Sequence, residues 1–156
     1  MTTELRPELG DFSSIICLKA IITGIEEALG DKTTQIALVA AGRARGRNLA
    51  ASIGLDNSSL SLEDITSKVA FALGKEGTRL LILDKIEPKG EGYKVYTRET
   101  VCSSGEELGS SRVCGFTLGA VQGVLETVSG KRLRGRQTES VLRGSHQDVF
   151  EFDPVG

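Results

Sequence analysis

The stretch Cys114-Gly115-Phe116-Thr117-Leu118-Gly119-Ala120-Val121-Gln122-Gly123-Val124-Leu125 decides the fold. Val113, Phe116, Leu118, Val121, Val124, Leu125 and Val128 give it a helical apolar pattern, and Gly130 supplies a stop, so a helix is predicted over 112–129. Gly115, Gly119 and Gly123 follow at steps of four, which puts all three on one face. Each costs the helix roughly 0.5–1 kcal/mol relative to alanine, so three in line make sense where something comes close to that face. Two readings are open: a tight contact with another helix or a sheet, or a cavity for a small apolar ligand walled by Phe116 and Leu118.

Toward the N-terminus, Ile15, Leu18, Ile22, Ile25 and Leu29 recur at three- and four-residue steps between Phe12 and Leu29, with Glu26 and Glu27 opposite, as in an amphipathic helix. Gly30 ends it. Asp31 can cap a second helix that runs through Ile36, Val39, Ala40, Ala44 and Ile53 to Gly54, and the two are expected to form an antiparallel hairpin. The second helix has its own small stripe, Gly42, Gly46 and Ala50, interleaved with Arg43, Arg45 and Arg47. Close packing with solvated arginines is one reading; Arg43 and Arg47, one turn apart, gripping a ligand carboxylate or phosphate is the other. After a polar loop, Asp56 to Ser59, Ser61-Leu62-Glu63-Asp64 opens a third helix that reaches Leu73 and closes at Gly74.

The period then changes. Thr78 to Glu87 and Tyr93 to Cys102 read as strands joined through Pro88-Lys89-Gly90-Glu91-Gly92, with Tyr93, Val95, Thr97, Glu99 and Val101 on one face of the second. A polar loop, Ser103 to Ser111, leads to the glycine-ridged helix, and Lys131 to Ser140 with Gln147 to Phe152 make a second hairpin. The expected class is α+β: three N-terminal helices, a β-hairpin, the ridged helix and a second β-hairpin, forming one antiparallel sheet packed on helices. One domain over 1–156 is expected, with 1–11 as a flexible segment.

The 156 residues carry a net charge of -2, so no broad positive field attracts nucleic acid or an anionic membrane. Lys131, Arg132, Arg134, Arg136 and Arg143 concentrate positive charge, but without interleaved aromatics they read as a solvated face. No apolar run approaches the roughly 18 residues of a membrane span, no leader is evident, and a cytoplasmic location follows as the expectation. Cys17, Cys102 and Cys114 are odd in number without paired spacing, so reduced thiols are expected. The single histidine, His146, has no nucleophile or acid arranged near it in sequence, and no phosphate-cradling glycine loop is present. No catalytic residue is expected, and the chain reads as a binding module.

The Cys114 to Leu125 segment, followed by Gly130-Lys131-Arg132 and Glu139, resembles the C-terminal signature of the vinyl-4-reductase domain family, the hydrocarbon-binding proteins. Ala40-Ala41-Gly42-Arg43-Ala44-Arg45-Gly46-Arg47-Asn48-Leu49-Ala50 resembles that family's small-residue helix. The resemblance implies a small-molecule-binding module, often dimeric, with a pocket for hydrophobic or aromatic compounds beside the ridged helix. With the glycine line it leads to the expectation of a homodimer that binds a tetrapyrrole or isoprenoid-like compound beside Gly119 and Gly123. It also implies a fold shared with the Bet-type small subunits of the TRAPP vesicle-tethering complexes, hence a scaffold as the alternative. The family name adds a third, a porphyrin vinyl reductase fed electrons by another protein. Many relatives hold zinc with a cysteine before the ridged helix, a glutamate after it and two cysteines near the last turn. Cys114 and Glu139 match the first two places, but Leu142 and approximately Val149 stand where thiolates would be, so no zinc is expected, and packing of Phe150 and Phe152 is expected to hold that turn.

Overall fold

The hydroxyl of Ser14 accepts a hydrogen bond from the Ile16 amide at 3.1 Å, so helix α1 starts at Ile15, three residues later than the apolar spacing suggests, and runs to Leu29. Gly30, at a φ of 81°, turns the chain directly into α2, Asp31–Ser52. Ser61 accepts from the Asp64 amide at 3.2 Å and opens α3, Leu62–Leu73. The computed structural model describes residues 5–56 and 59–156, so Asn57 and Ser58 of the polar loop, and 1–4 of the N-terminal segment, lie outside the described residues. Pro7 to Asp11 form turns, with the Gly10 amide bonded to the Arg6 carbonyl at 2.9 Å.

Strand β1 is Ile82–Lys89, starting later than expected because the Thr78, Arg79 and Leu80 amides close the end of α3 on the carbonyls of Ala72, Gly74 and Leu73. β2, Gly92–Arg98, stops early because Glu99 takes a positive φ of 50° and Val101–Ser103 form a 3-10 turn. Of the residues expected to share one face of β2, Val95 and Thr97 are buried, whereas the turn leaves Glu99 exposed. The ridged helix, α4, spans Gly115–Ser129 and ends on left-handed Gly130. β3, Leu133–Glu139, and β4, Asp148–Pro154, follow.

The four strands form one antiparallel sheet in the order β1-β2-β4-β3. The fold is α+β. Phe150 and Phe152 of β4 are fully buried, among Val95 of β2, Val124 and Leu125 of α4, and Val69 and Leu73 of α3. Helices α3 and α4 cover one face of the sheet, α2 lies on α4, and α1 is outermost. Although α1 and α2 are sequence neighbours, α2 makes its extensive contact with α4, and α1 leans on it only lightly.

The cysteines correct the expectation of three reduced thiols. Cys102 and Cys114 form a disulfide across a Cα–Cα distance of 5.3 Å, while Cys17 is free and exposed. The 3-10 turn brings Cys102 back to the residue that precedes α4, a juxtaposition that sequence spacing does not reveal.

The last turn is held by more than packing. Leu142 and Val149 are buried, and Glu139 is exposed, accepting from the Ser145 hydroxyl at 3.0 Å. The buried carboxylate of Asp148 accepts from the Thr100 hydroxyl at 2.7 Å and from the Val141 amide at 3.0 Å, tying β4 to both flanking turns.

Candidate functional site

Of the two readings of the glycine line, the close helix contact is what the structure shows. A Cβ on Gly119 would strike the Val39 carbonyl, and one on Gly123 the Arg43 carbonyl. Reciprocally, a Cβ on Gly42 would strike the Phe116 carbonyl, and one on Gly46 the Ala120 carbonyl. Contact positions increase together along both chains, so α2 and α4 run parallel, backbone against backbone. The room left at Gly119 and Gly123 is therefore filled by α2. At Gly115 the neighbours are side chains, Gln35 and Leu38.

The remaining sequence candidates scatter around this pair. Leu118 faces the sheet beside Gly135 and Phe152. Arg43 and Arg47 meet a carboxylate of the chain itself. Arg43 donates through Nε and Nη2 to Glu126 at 2.5 and 2.8 Å, Arg47 Nη2 stands 3.5 Å from the same group, and the Leu133 amide donates to it at 2.8 Å. Burial pushes the Glu126 carboxyl up, but the Arg43 and Leu133 hydrogen bonds and the two guanidinium charges outweigh it and hold the group below its usual range. Of the basic residues near the C-terminus, Lys131, Arg132, Arg134 and Arg136 are exposed, whereas Arg143 donates to the carbonyls of Ser110 and Arg112. His146 is exposed. Among the described residues no helix is long and apolar enough to cross a membrane.

Gly115 and Phe116 do come together with other apolar groups. They line a void of about 10 Å³, one water's worth, walled also by Leu18 and Ile22 of α1, Leu38 of α2 and Cys102. Beside the first half of α1 lies a cleft of about 800 Å³ between Phe12, Ile15 and Ile21 and the segment Gly77 to Leu80. Leu18 and Val101 border both spaces. Sequence reading missed Leu18, Ile22, Leu38 and Val101, because an apolar residue on a stripe reads as core whether or not the core is full.

Helix α1 roofs the void and is held by charge. Only Ile22 of its residues is fully packed away. Lys19 pairs with Glu106 at 2.8 Å and donates to the Cys102 carbonyl at 3.0 Å, and Arg112 pairs with Glu26 at 2.8 Å and Glu106 at 3.0 Å. The Lys19 hydrogen bond, opposed by burial and reinforced by Arg112 and Ser110, lowers the Glu106 carboxyl from 4.5 to about 2. A carboxyl depressed by folding stabilises the fold above its unfolded value and stops doing so as pH falls through the folded one. The α1 attachment is thus expected to weaken between about pH 4.5 and pH 2. The α1 amide resonances of the wild type should titrate with Glu106, and in Glu106→Gln that titration should vanish.

No family model matches the chain, and a comparison with curated proteins returns no match. Solved structures do share its fold. One is the phenol-responsive sensory domain of the transcription activator PoxR, with phenol, at a TM-score of 0.74 and 15% identity, covering 92% of this chain and 76% of that one. Another is a trafficking protein particle complex subunit 3 from Naegleria fowleri covalently bound to palmitic acid, at a TM-score of 0.60 and 15% identity, covering 91% of this chain and 93% of that one.

Proposed function

We propose that the chain is a vinyl-4-reductase-like domain that binds a hydrophobic small molecule where α1, α2 and the start of α4 meet, and that it senses or carries this molecule without chemistry of its own. The observation that carries the reading is the apolar void beneath α1, separated from the 800 Å³ cleft by the side chains of Leu18 and Val101. Shifting those two side chains merges the spaces into a site of ordinary ligand size. Gly115 and Phe116 form its floor, and α1, held by ion pairs at its rim, is its movable roof. Gly119 and Gly123 act indirectly by fixing α2 as the back wall. An aromatic ring or an isoprenoid-like chain suits such walls, and a tetrapyrrole needs the cleft as well. The fold shared with a phenol-responsive domain supports this reading.

The scaffold reading is favoured by a different observation. Ile16, Ile21 and Leu29 of α1 and Ile36 of α2 are each more than half exposed, an apolar surface of the kind that interfaces cover. We propose that a second copy covers it, so that binding and pairing both engage α1. Thiol labelling with and without reductant reads whether Cys102 and Cys114 keep their disulfide in solution.

Native mass spectrometry of freshly purified protein, alone and with phenol or anilinonaphthalene sulfonate, reports subunit number and retained ligand together. Leu18→Trp should fill the void and weaken binding about tenfold or more, while circular dichroism stays native. Unchanged probe binding by folded Leu18→Trp would overturn the proposed site.

A further inference from the structure

Two basic segments far apart in the chain meet at the other end of the α2–α4 pair. Arg43 and Arg47 from α2, and Lys131 and Arg132 from the turn after α4, border one open depression of about 540 Å³. Its only acid among the described residues is Glu126, whose side chain is 6% exposed and whose oxygens are already taken by the Arg43 fork and the Leu133 amide. Arg47 is 53% exposed and stands at the limit of hydrogen bonding to Glu126, and the side chains of Lys131 and Arg132 have no hydrogen-bond partner among the described residues. Four cations thus face one neutralised carboxylate on a chain whose net charge is -2.

The carbonyls at the end of α4 offset part of this repulsion, since a helix C-terminus carries about half a negative charge. That falls well short of the excess. Meanwhile the Arg43 guanidinium is oriented in advance by Glu126, and Arg47, Lys131 and Arg132 border the same depression. This combination suits an anion that offers several oxygens and at least two charges. We infer that the depression binds a small multivalent oxyanion of the phosphate-monoester or pyrophosphate class, held chiefly by Arg47, Lys131 and Arg132. The inference is independent of the hydrophobic site, which lies at the opposite end of α4, about 22 Å away for a helix of 15 residues.

Titration calorimetry of the intact protein with inorganic pyrophosphate tests it, with cosedimentation on phosphatidylcholine vesicles containing phosphatidic acid as a second arm. Binding in the first arm identifies a soluble phosphate, and binding in the second alone identifies a lipid headgroup. Either supports the site if Arg47→Gln and Lys131→Gln each weaken it about tenfold and added salt weakens it further. All of these residues except Arg43 are well exposed, so the variants should fold. Arg134→Gln and Arg136→Gln, basic and exposed but outside the depression, should leave binding intact. Absence of binding in both arms, or equal losses in the two sets of variants, overturns the inference.

Discussion

Alanine at position 119 is expected to lower the stability of the domain by about 3 kcal/mol or more, read as a fall in the urea midpoint at unchanged slope. On an isolated helix the same substitution would add roughly 1 kcal/mol, because glycine is a poor helix former. The environment decides the sign. The new Cβ would run into the Val39 carbonyl and come within 2.9 Å of the Arg43 amide, and neither is the far end of a side chain that could swing away. Relief requires the two helices to separate, which also parts Gly42, Gly46 and Gly123 from the backbone they touch. Gly24 in α1 provides the control: beyond its own stretch of helix, no atom of the described residues lies within 4 Å of its would-be Cβ, so Gly24→Ala should gain up to about 1 kcal/mol. If both substitutions stabilise, the close parallel pairing of α2 and α4 is wrong.

Removing the carboxylate of Glu126 should be nearly as damaging. Glu126→Ala leaves the Arg43 fork and the buried Leu133 amide without an acceptor, and breaking a buried pair from one side costs about 3 kcal/mol. Glu126→Gln should cost less, since an amide oxygen still accepts from Leu133. The pH dependence has a definite sign. Folding lowers the carboxyl below 4.5, so its contribution is present above that value and is lost as pH falls through the folded one. Glutamine resembles the protonated acid, and the gap between the wild type and Glu126→Gln should therefore close in acid. A gap that stays constant from neutral to acid pH would mean that the charge on Glu126 is not what holds Arg43.

What could be read from the sequence was local. Glycines at 30, 74 and 130 marked helix ends because a helix stop is a property of a few adjacent residues. Ser61 announced α3 for the same reason. The start of β1 was misplaced because the apolar pattern runs back over Thr78 to Leu80, whose amides close the end of α3, and that of α1 because Phe12 precedes the Ser14 cap. Pairings between distant segments were harder. The small stripes of α2 and α4 were each visible, yet nothing in either named the other as its partner. Arg43 and Arg47 stood out, while Glu126 looked like any surface glutamate on α4. Cys102 and Cys114 are joined by a turn whose geometry depends on Glu99 adopting a positive φ, which no spacing rule anticipates. As for the hydrophobic site proposed above, Gly115 and Phe116 line the void, whereas Gly119 and Gly123 lie against the backbone of α2, because missing side chains leave room equally well for a backbone.

The strand order has a consequence for how the protein is made. β4 sits between β2 and β3, but a ribosome produces it after both. Until it emerges, a nascent chain that already contains the first three strands has no ladder joining β3 to the hairpin of β1 and β2, and it lacks Phe150 and Phe152. The helices and first hairpin can form locally as they appear, but the sheet must close through long-range contacts made late. During that interval the inner edges of β2 and β3 are open to strands of other nascent chains, so crowded synthesis exposes this fold to edge-to-edge aggregation.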